Sequence, residues 1–359
     1  MNDKINKEVQ SNTEIIKPDI KLQALKHLID RLNNLNSNNI DYESINKEAF
    51  SILKSYEGEL KSLDLGSCVL NIKNILNTEP PLQKWLLNNK IPCGVAGLIA
   101  GTGGVGKSYF TLSLAMNLAI GRLPFMMDFS EPKQEPKRVL CVGAEDNSGE
   151  IHRRIKKIIS AEGELTDKQK QVMIDNLKII TLDSMNTALL EYSNKSTEPT
   201  YTPTYSSIKN EIEEFKPDLI IIDPASRFST GDESDNRIAI RFIQCLESLK
   251  NAGGEDTTLL FTHHTRKDKA GSLADVIRGA SALKDGTRWA LFLQYDKYDK
   301  DGDLIDDNAK PTKTNPLKEE ARGEIVCKIA KTNYTDEKSF NLKIERKTSN
   351  KGVLTQLKY

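Results

Sequence analysis

One stretch of eight residues has the types and spacing of a phosphate-binding loop, G-x-x-x-x-G-K-[ST]: Gly101, Thr102, Gly103, Gly104, Val105, Gly106, Lys107 and Ser108. Glycines let backbone N–H groups turn toward phosphate oxygens, and the N terminus of a following helix adds its positive dipole end. Lys107 is predicted to contact the β- and γ-phosphates, Ser108 to bind Mg²⁺, and Tyr109 to complete the nucleotide-binding segment. We therefore expect ATP and Mg²⁺ at this loop.

Carboxylates end two of the predicted strands. Asp223 closes the apolar strand 219–223, where it is predicted to hold Mg²⁺ through water; the alternative is an Asp that only caps a loop. Glu145 follows the strand 138–143 and is the candidate that orients water against the γ-phosphate. Its neighbour Asp146 is predicted to cap the next helix, because Asp suits a helix start.

Two adjacent histidines, His263 and His264, follow the strand predicted over 258–262. One of them could contact the γ-phosphate and report its loss. A zinc site is an alternative, but His27 and His152 are remote in sequence and no cysteine is near. A structural role for both histidines is the third possibility, since histidine has intermediate burial.

The order of these motifs and their residues resemble those of the RecA-fold ATPases of the RepA type, which are hexameric replicative DNA helicases of plasmids related to DnaB. The resemblance covers residues 81–359. It implies that Glu145 is the catalytic glutamate, Asp223 the metal ligand, and His263 or His264 the phosphate sensor. The motifs that carry it are Gly-Gly-Val-Gly-Lys-Ser, Ala-Glu-Asp, Leu-Ile-Ile-Ile-Asp-Pro, Thr-His-His-Thr-Arg-Lys, and Arg278-Gly279-Ala280-Ser281 with Arg288-Trp289.

The same resemblance implies a cation that reaches the nucleotide of a neighbouring subunit. Lys331 matches a lysine with that role, but DnaB-like sequences carry an arginine two residues later, where this chain has Asn333. Arg346 is the candidate replacement; otherwise activation across the interface is weaker. We expect a head-to-tail homo-oligomer, a hexameric ring by resemblance, with a replication initiator or primase as further partner.

Basic residues lie in the two polar segments that follow the fourth and fifth predicted strands, residues 225–236 and 265–281. Such residues suit a track for single-stranded DNA, and the alternative is a solvated charged loop. Phe228 is the one aromatic candidate for base stacking, so sequence-specific binding is not expected. A further basic run, residues 152–157, is predicted to form a solvated helix face. The candidate DNA-binding residues are Arg227, Arg266, Lys267, Lys269 and Arg278.

Strands and helices must alternate to place these residues on one edge. Periodicity predicts strands over 95–100, 138–143, 177–182, 219–223 and 258–262, and helices over 107–120, 150–160, 208–215 and 237–251. This alternation predicts a RecA-like α/β fold, a mostly parallel sheet with helices on both faces. The polar stretch 186–207 is predicted to be a loop. Antiparallel hairpins at the sheet edge are predicted from strands 289–295, 324–330, 339–346 and 353–357.

The amino-terminal part has a different character. Residues 1–18 are predicted to be a disordered tail, residues 19–78 a small helical module, and residues 79–359 the RecA-like ATPase domain. The helical module is too small to hold a core alone. It is predicted either to cap the main domain or to dock on a neighbouring subunit.

Composition narrows the function further. Acidic and basic residues balance at 51 each, so a DNA site must be a local cluster of Lys and Arg. The five cysteines include no C-x-x-C pair, Cys141 and Cys327 lie in apolar runs typical of core thiols, and a reducing cytoplasm is predicted. No signal peptide or membrane span is expected, because the start is polar and no apolar run approaches about 20 residues.

Together these features predict an ATP-dependent, ring-forming motor on single-stranded DNA, a replicative helicase of a plasmid or other mobile element. The alternative is a RecA-like DNA-binding ATPase that does not unwind, such as a recombination mediator or regulator. A scaffold that binds nucleotide without hydrolysis is a third class, and the presence of both Glu145 and Asp223 argues against it.

Overall fold

The computed structural model describes residues 69–87, 90–124, 135–192, 198–230, 235–264, 281–295, 324–334, 342–347 and 353–356. The chain divides into two compact units, Met1–Pro81 and Leu82–Tyr359. In the first unit the described part contains the helix α1 (Ile72–Asn77), capped by the side chain of Asn71, which accepts a hydrogen bond from the Asn74 backbone. The predicted tail and most of the predicted helical module lie outside the described residues.

The described part of the second unit contains strands and helices in alternation. Its helices are α2 (Lys107–Ala119), α3 (Ser148–Glu162), α4 (Asp167–Asn176), α5 (Pro203–Phe215), α6 (Asn236–Gly253) and α7 (Ser281–Gly286). Its strands are β1 (Trp85–Leu87), β2 (Ile91–Pro92), β3 (Ala96–Gly101), β4 (Val139–Gly143), β5 (Leu177–Thr181), β6 (Leu190–Glu191), β7 (Thr200–Tyr201), β8 (Leu219–Asp223), β9 (Thr258–His264), β10 (Trp289–Tyr295), β11 (Glu324–Thr332), β12 (Leu342–Lys347) and β13 (Val353–Gln356). Within the described residues, no helix is both long and apolar enough to span a membrane.

A nine-stranded sheet has the order β13-β12-β11-β10-β3-β9-β8-β4-β5. The six strands from β10 to β5 run parallel to one another. The last three, β11, β12 and β13, are antiparallel and extend the sheet beyond β10. The predicted RecA-like α/β fold class, with its antiparallel carboxyl-terminal strands, is confirmed.

Hydrophobic side chains cover both faces of the sheet, because successive residues of a strand point to opposite sides. Ile99 of β3 belongs to a cluster that includes Phe110 and Leu114 of α2. The adjacent Leu98 belongs to a second cluster, on the other face, that includes residues of α5 and α6. Continuous apolar strands such as β8 follow from this double coverage.

Helix α2 is apolar around almost its whole circumference and is buried from Phe110 to Ala119. Its buried polar residues Ser113 and Asn117 donate hydrogen bonds to the carboxyl group of Glu162 at the end of α3. Burial raises the pKa of Glu162, and these two hydrogen bonds oppose the rise. The contact satisfies polar groups that would otherwise be costly to bury, and it fixes the helix that follows the phosphate-binding loop.

The helix boundaries differ from the sequence predictions in places. The prediction that Asp146 caps α3 is wrong: the N-cap is Asn147, whose side chain accepts a hydrogen bond from the Glu150 backbone. Helix α4 was not predicted, and it begins with a capping box of Thr166 and Gln169. Helix α5 begins at Pro203, within the stretch predicted to be a loop.

Candidate nucleotide site

The carboxyl ends of four neighbouring parallel strands meet at one edge of the sheet. Gly101 at the end of β3 pairs with His264 of β9, and Gly143 at the end of β4 pairs with Asp223 of β8. Glu145 follows β4 by two residues. Parallel pairing in register therefore brings together residues that lie far apart in the sequence, at the edge where open α/β sheets bind ligands.

The glycines of the phosphate-binding loop have separate roles. A Cβ atom at Gly101 would lie 2.5 Å from the carbonyl oxygen of Leu293 in β10, so only glycine fits there. Gly104 and Gly106 have φ angles of 78° and 105°, in the left-handed region that favours glycine. Val105 between them is fully buried and anchors the loop to the core.

Lys107 lies beneath this loop and is only 5% exposed. Its ammonium donates to the carbonyl oxygens of Gly101 at 2.8 Å and Thr102 at 3.1 Å, and it lies 3.0 Å from Nδ1 of His264. Burial lowers the pKa of Lys107 to about 8, although the negative charges of Asp223 and Glu145 act in the opposite direction. A buried ammonium beside a phosphate loop has the charge and location needed to bind anionic phosphates.

The two histidines differ in their surroundings. His264 contacts Lys107, and its pKa is lowered by burial first and by the Lys107 charge second. His263 is buried, and burial lowers its pKa to about 4, with further contributions from His264 and Lys107. The sequence left open which histidine would contact the γ-phosphate, and in the structure His264 is the one that adjoins the loop lysine.

Ser108 and Asp223 line one cavity of about 40 Å³ behind the loop. The Thr262 hydroxyl donates to Oδ1 of Asp223 and orients the carboxylate. A hydroxyl and a carboxylate are oxygen ligands of the type that Mg²⁺ prefers. Cys141 also lines this cavity, but burial raises the pKa of its thiol to about 12, so it stays protonated and is a poor metal ligand.

Ser108 and Asp223 would hold Mg²⁺, which would supply positive charge to offset that of the phosphates. Mg²⁺ commonly uses one or two protein carboxylates together with substrate phosphates, so Ser108 and Asp223 form a sufficient pair. In the part of the chain that the structure describes, no group of three or more His, Cys, Asp or Glu residues could hold a metal ion. This finding gives no support to the alternative of a zinc site at the two histidines.

Glu145 is paired with a cation that the sequence did not assign to the site. Nε of Arg227 lies 3.5 Å from Oε1 of Glu145, and both side chains are partly exposed. Arg227 ends a short 3₁₀ helix, Ala225–Arg227, that follows β8. The two residues are 82 positions apart in sequence, so their contact depends on the order of the strands in the sheet and not on a local pattern.

Arg154 of α3 is a second arginine near the nucleotide edge. It forms a salt bridge with Asp146 at 2.7 Å, lines the same cavity, and lies over the ring of Tyr109 at 5.2 Å. Burial raises the pKa of Asp146 even though Arg154 lowers it. The predicted solvated face over residues 152–157 is therefore wrong for Arg154, whose side chain is 18% exposed.

Of the predicted DNA-binding residues, the structure describes Arg227 alone; Arg266, Lys267, Lys269 and Arg278 lie outside the described residues. Phe228 is fully buried in the core and cannot stack on a base, so that prediction is wrong. The backbone at this point is anchored, because Thr187 Oγ donates to the Arg227 carbonyl and the Leu189 N–H to that of Phe228.

Lys331 and Arg346, the two residues predicted to reach the nucleotide of a neighbouring subunit, lie at opposite ends of the carboxyl-terminal strands β11 and β12. Lys331 pairs with Ala290, which pairs with Leu98 near the amino end of β3, and its Nζ donates to the Asp285 carbonyl at 3.0 Å. Arg346 follows Glu345, which pairs with Glu324 at the start of β11. Residues 324 and 331 are seven positions apart, which corresponds to roughly 23 Å along a strand. The roles of Lys331 and Arg346 across an interface stay predictions.

A family model described as an AAA domain matches residues 62–270, more than half of the 359-residue chain. The match includes the phosphate-binding loop, Glu145, Asp223 and both histidines. It begins before residue 79, where the ATPase domain was predicted to start, and it ends before β10. Lys331 and Arg346 lie outside it.

Proposed function

The chain belongs to the AAA domain family of P-loop ATPases, which is related to RecA- and DnaB-like helicases, and from that premise we propose an ATP-dependent motor on single-stranded DNA. The motor is a ring of identical subunits, hexameric by resemblance, and acts as the replicative helicase of a plasmid or another mobile element. A replication initiator or a primase is its proposed further partner.

One observation carries this proposal: the ATP edge is also the edge from which both candidate DNA segments leave the sheet. β8 ends at Asp223 and continues through Arg227, and β9 ends at His264 and continues into the basic stretch after Thr265. A change at the phosphates therefore has a short covalent path to residues suited to bind a phosphodiester backbone. Coupling of this kind is what a nucleic-acid motor requires.

Within the site, each side chain has a distinct proposed role. The Lys107 ammonium binds the β- and γ-phosphates, and the Ser108 hydroxyl and Asp223 carboxylate hold Mg²⁺. The Glu145 carboxylate orients water and accepts its proton, and His264 contacts the γ-phosphate. Glu145 is 43% exposed, and Oε1 of its carboxylate is the atom that contacts Arg227.

The transferred phosphoryl group also requires a cation outside the loop. Lys331 or Arg346 of a neighbouring subunit is the proposed source. The late strands support a head-to-tail contact, because β11, β12 and β13 extend the sheet on the side of β3 opposite to β4 and β5. A contact between two different surfaces closes into a ring or winds into a filament.

A strand-displacement assay on a forked DNA duplex tests the function, with ATP in one arm and ADP in the other. We expect single-stranded DNA to stimulate hydrolysis and ATP to support displacement, and we expect neither activity from the Lys107→Ala control. Stimulated hydrolysis without displacement would favour the non-unwinding ATPase instead. An equal rate of hydrolysis with and without single-stranded DNA would contradict both the helicase and the non-unwinding ATPase. A monomeric mass with ATP and DNA present would refute the ring.

A further inference from the structure

Arg227 has two possible anionic partners in one place. Its Nε lies 3.5 Å from Oε1 of Glu145, the residue proposed to activate water. Arg227 also lies in the polar segment after β8, residues 225–236, that is proposed to contact DNA. A guanidinium pairs well with both carboxylate and phosphate oxygens, so the same side chain suits either partner.

The surroundings fix the backbone of Arg227 and leave its side chain able to exchange partners. The Thr187 hydroxyl donates to the Arg227 carbonyl, and the next residue, Phe228, is fully buried. The Arg227 side chain, in contrast, is 60% exposed, and the distance to Glu145 is long for an ion pair. An exposed pair at this distance is weak and can be displaced by a stronger anion.

The contact affects the atoms that would do chemistry. A carboxylate that accepts a proton from water needs a free oxygen directed at that water. The hydrogen bond from Arg227 occupies Oε1 of Glu145 and restrains the rotation of the carboxylate. Removal of the guanidinium from Glu145 therefore increases the fraction of carboxylates available to water.

We propose that Arg227 is a positioning residue that restrains Glu145 until a phosphate of single-stranded DNA takes its guanidinium. Binding of the strand then frees Glu145, and hydrolysis accelerates. The restraint depends only on the ATPase chemistry, whereas the exchange with DNA rests on the proposed function. The strength of an exposed ion pair limits the restraint to about fivefold in rate.

Substitution of Arg227 by alanine tests the restraint first without DNA. We expect kcat for ATP hydrolysis to rise about two- to fivefold and KM for ATP to stay unchanged, because the substitution alters an orientation and not nucleotide binding. With oligothymidine present, the variant should lose the corresponding part of its stimulation. Arg227→Lys keeps the charge, so it should restore a basal rate near wild type and part of the stimulation.

Arg241→Ala is the matched control. Arg241 of α6 pairs with Glu198 at comparable exposure, and neither residue belongs to the candidate nucleotide site. This variant should keep the wild-type basal rate and stimulation. Equal melting temperatures for the two alanine variants would show that both are folded.

Two outcomes would overturn the proposal. A fall in basal kcat in Arg227→Ala would mean that Arg227 stabilises the reaction itself. An unchanged basal rate with weaker DNA binding would mean that Arg227 contacts only the strand. A third result would separate the two parts of the proposal. If DNA does not change the wild-type rate of hydrolysis but Arg227→Ala hydrolyses ATP faster, the restraint on Glu145 is supported. The exchange of Arg227 onto DNA is then contradicted, together with the proposed motor.

Discussion

Nucleotide affinity should fall when pH rises above about 8, because Lys107 loses its charge there. Burial lowers the pKa of Lys107 from 10.5 to about 8. Anionic phosphates favour the charged ammonium, so the pKa is higher in the complex than in the free protein. ATP binding therefore takes up a proton above pH 8. The affinity for ATP has its full value below that pH and falls as pH rises through it.

The size of the effect follows from the lowered pKa. With a value of about 8, roughly nine-tenths of Lys107 is charged at pH 7 and roughly one-tenth at pH 9. If only the charged form binds tightly, the dissociation constant for ATP rises about tenfold between these pH values, or about 1.4 kcal/mol. A lysine with the unperturbed pKa would produce almost no change over this range.

Titration calorimetry with Mg²⁺ and ATP at pH 7, 8 and 9 measures this constant. Lys250→Met is the control, because Lys250 is also partly buried, has a lowered pKa, and donates to the Gly94 carbonyl outside the nucleotide site. That variant should keep the tenfold change. His264 does not contribute to the pH dependence of the dissociation constant, because its lowered pKa leaves the ring neutral over this range. A dissociation constant that stays flat, or falls, between pH 7 and 9 would refute the reasoning.

Glu145→Gln should bind ATP normally and hydrolyse it about 10²- to 10⁴-fold more slowly, because the amide cannot accept a proton; a wild-type rate in a phosphate-release assay would contradict the assignment. Lys331→Ala and Arg346→Ala should each bind ATP but hydrolyse slowly, and each should regain activity when mixed with Lys107→Ala subunits. Failure of this complementation would remove that residue as the cation in trans. Neutralisation of Arg266, Lys267 and Lys269 together tests the basic segment after β9. The slope of log binding constant against log salt concentration for single-stranded DNA should become about 2 smaller, while basal hydrolysis is unchanged. An unchanged slope would exclude these three residues as DNA contacts.

The sequence predicted the parts of the site that depend on local patterns. A glycine loop between an apolar strand and a helix, and an apolar strand that ends at Asp223, are recognisable because neighbouring residues determine them. The parallel sheet followed from the alternation of strands and helices. Cys141 and Cys327, predicted to be core thiols, are both buried.

Local rules failed where two residues have similar chemistry or where burial comes from distant contacts. Asp146 and Asn147 both suit an N-cap, and in the structure Asn147 caps the helix while Asp146 pairs with Arg154. Phe228 lies in a polar stretch, and only the packed fold shows that it is buried.

Two missed helix starts did have signals in the sequence. Thr202 followed by Pro203 is a typical cap with proline in the first turn, and it marks the true start of α5. Thr166 and Gln169 form the capping-box spacing at α4. Helix α4 has no buried residues, so its apolar periodicity was too weak to predict it.

The strand order has a consequence for how the chain folds during synthesis. Strand β3 pairs with β9 and β10, although β10 begins 188 residues after Gly101, where β3 ends (289 − 101). A ribosome adds roughly 5–20 residues per second, so the strand that leads into the phosphate-binding loop waits roughly 10–40 s for both neighbours. A nascent chain that ends before residue 258 contains the whole loop but neither strand that supports it, and it exposes an apolar strand with two unpaired edges.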